Sequence, residues 1–210
     1  MTRTWLALGT VLLTTACGPP AYIPDVTLSP EHRTIDAVVE LHSLYPSPVL
    51  LTGKARIGLA TSSDKPVAVG PLVEKVEAAV LEELQASGIF TRVARFDPQP
   101  DFILSGRINA LHEHYRPHIW TYLPWVDALT SLFDLKSYVS SGKADLTMYL
   151  LKPNGELVGT YRGISKFYES FHPTSEMPPG ARLNQALSEA VQQIQDKISH
   201  DAQVRTVASR

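Results

Sequence analysis

One cysteine, Cys17, is all that 210 residues contain. No intramolecular disulfide can form, so stability has to come from burial, even in an oxidising compartment. Long apolar runs are also missing. The most apolar stretch, Trp5 to Leu13, falls short of the ~20 residues that a spanning helix needs, and Gly18-Pro19-Pro20 breaks any helical continuation soon after it. An excess of one charge is absent too: 19 Lys plus Arg face 21 Asp plus Glu, a formal net charge of -2, so bulk electrostatics recruits no nucleic acid. Neither G-x-S-x-G nor G-x-G-x-x-G occurs, and "SSGKAD" lacks the glycine that would open a phosphate-binding loop six residues before Lys143. Nucleotide chemistry therefore has no motif here, and no cofactor is expected.

What the chain does contain begins at its start. Arg3 supplies a short basic region, Trp5 to Leu13 an apolar core, and Leu13-Thr14-Thr15-Ala16 a small and apolar run ending at Cys17, the layout of a cleaved export signal over residues 1–16. This stretch resembles the lipobox of bacterial lipoproteins in a permitted variant, with Thr14 at the usual leucine position and Leu13 one place earlier. The resemblance implies a diacylglycerol on the Cys17 sulfur, cleavage after Ala16 and acylation of the new N-terminus, a multi-chain anchor that holds stably where one chain would not. Gly18, not Asp, follows the cysteine, which resembles the outer-membrane sorting pattern. The implied location is the outer membrane, with the domain facing the periplasm.

Composition suits a single soluble domain beyond the signal, with 44% hydrophobic and 19% charged residues. Residues 17–33 hold four prolines and no sustained period, as in an extended tether that carries the lipidated Cys17. "TIDAVVELHSLY" has mixed spacing and leaves helix and strand both open. "KARIGLA" alternates as a half-buried strand does. From Pro71, the stripe Leu72, Val73, Val76, Val80 and Leu84 predicts an amphipathic helix that Gly88 stops. "FTRVARF" and "DFILSGRINALHEHY" read as strands, the second with Phe102, Leu104, Ile108 and Ala110 on one face and Ser105, Arg107 and Asn109 on the other. "ADLTMYLL" and "ELVGTYRGISKFY" are two more, joined by a turn for which Asn154-Gly155 suggests type I′. Leu183, Leu187, Ala190, Val191, Ile194 and Ile198 mark a final helix, and residues 201–210 look frayed.

Two apolar helix stripes and several alternating strands are buried together most simply in a two-layer α+β sandwich, a mostly antiparallel sheet with both helices on one face, over residues 34–200. The element order from 53 to 200 resembles the small α/β domains of Gram-negative envelope lipoproteins of the CsgG-like, TolB-N-terminal-like and transporter-auxiliary types.

Polar candidates are few. His112, His114 and His118 fall within seven residues, and on a strand the first two share a face with Glu113 opposite. The spacing is not the helical zincin motif, since Arg116 stands where its second histidine belongs, so no metal site is expected. Arg107, Asn109, Asp145, Thr147, Tyr149, Thr160, Arg162 and Lys166 are placed to gather on the open sheet face, either as a wet surface or as a foothold for a glycan or a partner strand.

The segment 117–138 is more unusual, an insertion between strands that carries two of the three tryptophans. Trp120 precedes Pro124, after which Trp125, Leu129, Leu132 and Phe133 recur at helical spacing. That stripe can cover its own sheet end, meet a protein, or enter lipid. Lipid is the least favoured of the three, because Lys136 stands against Asp127 and Asp134 and interfacial helices usually carry a basic polar face. Trp120, Trp125, Leu129, Leu132 and Phe133 are the residues assigned to partner binding, with packing over the end of their own sheet as the open alternative. The function expected is a non-enzymatic assembly or accessory factor of an envelope complex, with a protein partner or a second copy of the chain bound. The alternative is a carrier of lipid or glycan.

Overall fold

The computed structural model describes residues 22–30, 34–51, 57–60, 69–122, 136–171 and 180–208. Strand β1 (Ile35–Pro46) is followed by a single helical turn, α1 (Pro48–Leu51), the short strand β2 (Ile57–Ala60) and helix α2 (Val69–Ser87). Strands β3 (Phe90–Ala94) and β4 (Phe102–Pro117) come next, then a 3-10 turn at Ile119–Tyr122. Strands β5 (Tyr138–Leu151) and β6 (Leu157–Phe171) precede helices α3 (Ala181–His200) and α4 (Ala202–Ala208). The stretch 34–45, whose spacing leaves helix and strand both open, thus enters β1 at Ile35.

The sheet order is β3-β1-β4-β5-β6, with β2 following β1 along the same edge of β4. The long ladders, β4 with β5 and β5 with β6, are antiparallel, while β1 joins β3 and β4, and β2 joins β4, in parallel. The α+β sandwich expected from the patterns is what forms. Its parallel edge arises because the chain passes through α2 between β1 and β3 and so returns in the same direction. Among the described residues no helix is long and apolar enough to cross a membrane.

The helix stripes are buried as predicted. Val76, Val80, Leu183, Leu187, Ala190 and Val191 all lose their solvent contact against Val39, Phe102, Leu104, Leu111, Leu146 and Leu150 of the sheet. Helix α2 lies over β1 and β3, and α3 over β4 to β6. Gly88, at φ 71°, ends α2 in the left-handed conformation that a side chain would resist.

The fold departs from the sequence pattern at the strap, at the tail and at the β5–β6 turn. The tether expected over 17–33 is, from 22 to 30, a docked strap: Tyr22, Val26 and Leu28 belong to the core, and Ile23, Asp25, Thr27 and Ser29 alternate outward. Its amides meet a ladder of side-chain acceptors on one face of α3, Asp25 N to Asn184 Oδ1 (3.1 Å), Thr27 N to Ser188 Oγ (2.9 Å) and Ser29 N to Gln192 Oε1 (2.8 Å). Two residues of extended chain rise ~6.8 Å and four helical residues ~6 Å, so the two repeats stay in step. Prolines do not prevent this, because side chains on α3 replace the strand partner that the segment lacks.

The tail is not frayed either: over 202–208 it forms α4, whose Val204 is fully buried, and Tyr161 Oη donates to Asp201 Oδ2 at 2.8 Å where the tail begins. The folded unit therefore extends beyond 34–200 on both sides. Finally, Gly155 N donates to Lys152 O (2.9 Å) and Lys152 N to Glu156 O (2.8 Å), so Pro153 and Asn154 are the central turn residues. Proline fixes a negative φ at the first of them, which excludes type I′, and Gly155 takes the positive φ, 86°, as the bulge residue after the turn.

Candidate functional site

The open face of the sheet holds a hydrogen-bonded network centred on Asp145. A bulge in β4 creates it: Ile108 pairs with Leu146 and Ala110 with Asp145, leaving Asn109 as the extra residue. Beyond the bulge the face of each β4 residue is exchanged, so Leu111 enters the core and Ala110 pairs on the open face, opposite to the placement its spacing suggests. Asn109 uses its freed position to donate from Nδ2 to Asp145 Oδ1 (3.1 Å) and Thr147 Oγ1 (2.8 Å), while its Oδ1 accepts from Arg107 Nε (3.0 Å).

Asp145 also accepts a fork from Arg162, Nε to Oδ1 (2.9 Å) and Nη2 to Oδ2 (2.8 Å), and a bond from Lys143 Nζ to Oδ2 (2.5 Å). The residue is 1% exposed. Burial by itself would raise its pKa, but the hydrogen bonds from Arg162, Lys143 and Asn109 together outweigh it and hold the carboxyl well below the usual range. A carboxylate so held, with both oxygens occupied, is a poor base. The arrangement does not favour proton transfer at Asp145.

Cross-strand pairing makes this face cationic. Lys143 stands opposite Lys166 on one side and His112 on the other, and Arg107 and Arg162 flank Thr147. Burial first, then the Lys143 ammonium and His114, hold His112 below the ordinary imidazole range. Like charges directly opposite one another cost stability, and among the residues of β4, β5 and β6 just named only Asp145 offsets them. Of the residues expected on the open face, Arg107, Asn109, Asp145, Thr147 and Arg162 are brought into one network. Tyr149 pairs with Thr160 in the next row, and Lys166 lies apart from the network's hydrogen bonds. Lys143 was not in the expected set, although the alternation Lys143, Asp145, Thr147 in "KADLT" marks it.

Glu113, on the opposite face as its alternation requires, is fully buried; Ser140 Oγ donates to its Oε1 at 2.6 Å, and its Oε2 has no partner among the described residues. Burial, with Glu113 nearby, pushes the Tyr22 and Tyr115 hydroxyls above the ordinary phenol range. Among the described residues no group of three His, Cys, Asp or Glu side chains is placed to hold a metal.

Cys17, Trp125, Leu129, Leu132 and Phe133 lie outside the described residues, and Trp120 is described only as part of the Ile119–Tyr122 turn. The insertion is shorter than 117–138 at both ends, because Pro117 closes β4 and Tyr138 opens β5.

No family model matches the chain, and no curated protein matches it. Among solved structures it is similar to protein XCC0632 from Xanthomonas campestris, of family DUF330, at 15% identity and TM-score 0.47 over 88% of this chain and 95% of that one. It is also similar to the PelC dodecamer from Paraburkholderia phytofirmans, at 12% identity and TM-score 0.42 over 80% and 93%. At these scores the likeness assigns neither family nor activity.

Proposed function

We propose that the chain is a lipoprotein anchored through Cys17 in the outer membrane, facing the periplasm, and that it acts there as a non-enzymatic assembly or accessory factor. The observation that carries this reading is the docked strap. Tyr22, five residues after the anchoring cysteine, is already part of the core, so at most ~17 Å of extended chain separates lipid from folded domain. An anchor so close to the fold restricts the domain to the membrane surface and raises its effective concentration near membrane-bound partners. The saturated Asp145 network supports binding over catalysis, and the layer between sheet and helices is occupied by large side chains such as Phe102, Leu104 and Leu187, which supports partnership over carriage of a lipid.

The partner is a protein or a second copy of the chain, contacted through Trp120, Trp125, Leu129, Leu132 and Phe133. Crosslinking with mass spectrometry in native membranes tests it: Trp125→Ala with Phe133→Ala should abolish crosslinks while leaving the domain folded. A destabilised double variant, with wild-type protein free of crosslinks, defeats this contact. Cys17→Ser should accumulate as an unprocessed precursor without fatty acid, and normal cleavage to a soluble product would defeat the anchor. A glycan-binding role draws on one specific feature, the amide, guanidinium and hydroxyl groups of Asn109, Arg107 and Thr147 gathered on the open face. Glycan-array binding lost in Asn109→Ala would establish that second reading.

A further inference from the structure

The strap runs parallel to α3, pairing first with Asn184 and last with Gln192, so it begins at the N-terminal end of that helix. The same end of the molecule is built from the close of β4, the start of β5 and the close of β6. Gly180 N donates to Tyr115 Oη (3.2 Å), the Arg182 guanidinium sits 4.5 Å over the Phe171 ring, and Phe171 meets both Tyr115 (6.0 Å, edge-on) and Tyr138 (5.9 Å, stacked). Chain emergence, sheet end and the Ile119–Tyr122 turn therefore share one pole.

This pole exposes apolar groups that the fold does not use. Ile119 is 83% exposed, Ile23 70% and Tyr138 37%. Beside the Ile119–Tyr122 turn stand Arg116 and Lys136, both exposed and without an ion-pair partner among the described residues. Among the described residues Glu169 is held by Arg182 (2.7 Å) and Asp25 is exposed on the strap, while Asp127 and Asp134 lie outside the described residues.

Five residues of fully extended chain reach ~17 Å at most, so a lipid on Cys17 keeps Tyr22 within that distance of the headgroups. We infer that the pole bearing Ile23, Arg116, Ile119 and Lys136 docks on the surface of the anchoring bilayer, its isoleucines entering the interface and its cations meeting anionic headgroups. The inference rests on the anchor proposed above and names the surface that the anchor presents to lipid. The covalent tether supplies what so small a patch lacks, since docking becomes an intramolecular event that needs little affinity of its own. The open sheet face then stands away from the lipid at its Arg107 end and remains available.

Lipidation blocks Cys17, so single cysteines introduced into the full-length protein purified from membranes can be labelled uniquely. An environment-sensitive fluorophore at Ile23→Cys and Ile119→Cys should brighten severalfold and shift to the blue in vesicles of phosphatidylethanolamine and phosphatidylglycerol, relative to its signal after protease release of the domain. The same label at Phe96→Cys and Leu157→Cys, exposed positions away from this pole, should not change. Arg116→Glu with Lys136→Glu should reverse most of the gain at position 119. Equal, water-like emission at all four positions on vesicles, with mass spectrometry confirming lipid on Cys17, overturns the docking while leaving the anchor intact. An unmodified Cys17 and protein in the soluble fraction remove anchor and docking together.

Discussion

Gly163 of β6 lies directly against the backbone of Ala190 in α3, so closely that a Cβ on Gly163 would stand 1.8 Å from the Ala190 carbonyl oxygen. Helix and sheet touch there with no side chain between them. The contact is fastened alongside by Gln193, whose amide donates to Ile164 O (3.0 Å) and accepts from Ile164 N (3.1 Å). Gly163→Ala must push α3 off β6, and because the obstacle is backbone it cannot yield by a rotamer change. The expected loss is about 3 kcal/mol, read from urea or thermal unfolding. An unchanged midpoint would mean that α3 sits farther from the sheet.

Asp145→Asn removes the charge that neutralises Lys143 and Arg162 on the open face. Both cations keep access to water, so the cost is expected to be about 2 kcal/mol at pH 7. The pH dependence has a definite sign. The folded pKa lies below the unfolded value, so the carboxylate's contribution is fully present above the unfolded value, near 3.8, and is lost as pH falls through the folded one. Wild-type stability should therefore drop more steeply than that of Asp145→Asn below about pH 4, in urea titrations at successive pH values.

The strap is predicted to be part of the cooperative fold. Val26 is 1% exposed within the core, and Val26→Asp places a carboxylate there without a partner, which should cost about 3 kcal/mol or more. Thermal unfolding of Val26→Asp at a wild-type midpoint would show that the segment is a free tether after all.

At the β5–β6 turn, Gly155→Val should destabilise by about 1 kcal/mol or more, because a β-branched side chain is poorly accommodated at φ 86°. Nothing lies within 4 Å of a Cβ built there, so the penalty is backbone strain alone. Gly155→Asn, which tolerates that region better, should recover part of it in the same melting experiment.

The helix stripes, the strands and the glycine stop at Gly88 were legible in the sequence because each follows from local periodicity or a local backbone demand. The same is true of the split between His112 and Glu113, which are adjacent and so face opposite sides of a strand. Strand direction was not legible. Whether β1 joins its neighbours in parallel depends on the path of the chain through α2, and alternation within one strand carries no information about that path. The bulge at Asn109 was equally hidden. It is defined by a mismatch in length between β4 and β5, and it decides both that Leu111 is core and that Asp145 meets Asn109.

By itself the sequence determined an α+β chain with two buried helix stripes, a long antiparallel hairpin and an N-terminal segment resembling a lipoprotein signal. Only the tertiary structure decided that the proline-rich 22–30 is a strap. Its extended conformation is a local property, but the acceptors that hold it, Asn184, Ser188 and Gln192, lie about 160 residues away and come into line only once α3 has folded. The Asp145 network depends in the same way on three strands arriving in register, since Asn109, Lys143, Asp145 and Arg162 share a face only after pairing has brought them side by side.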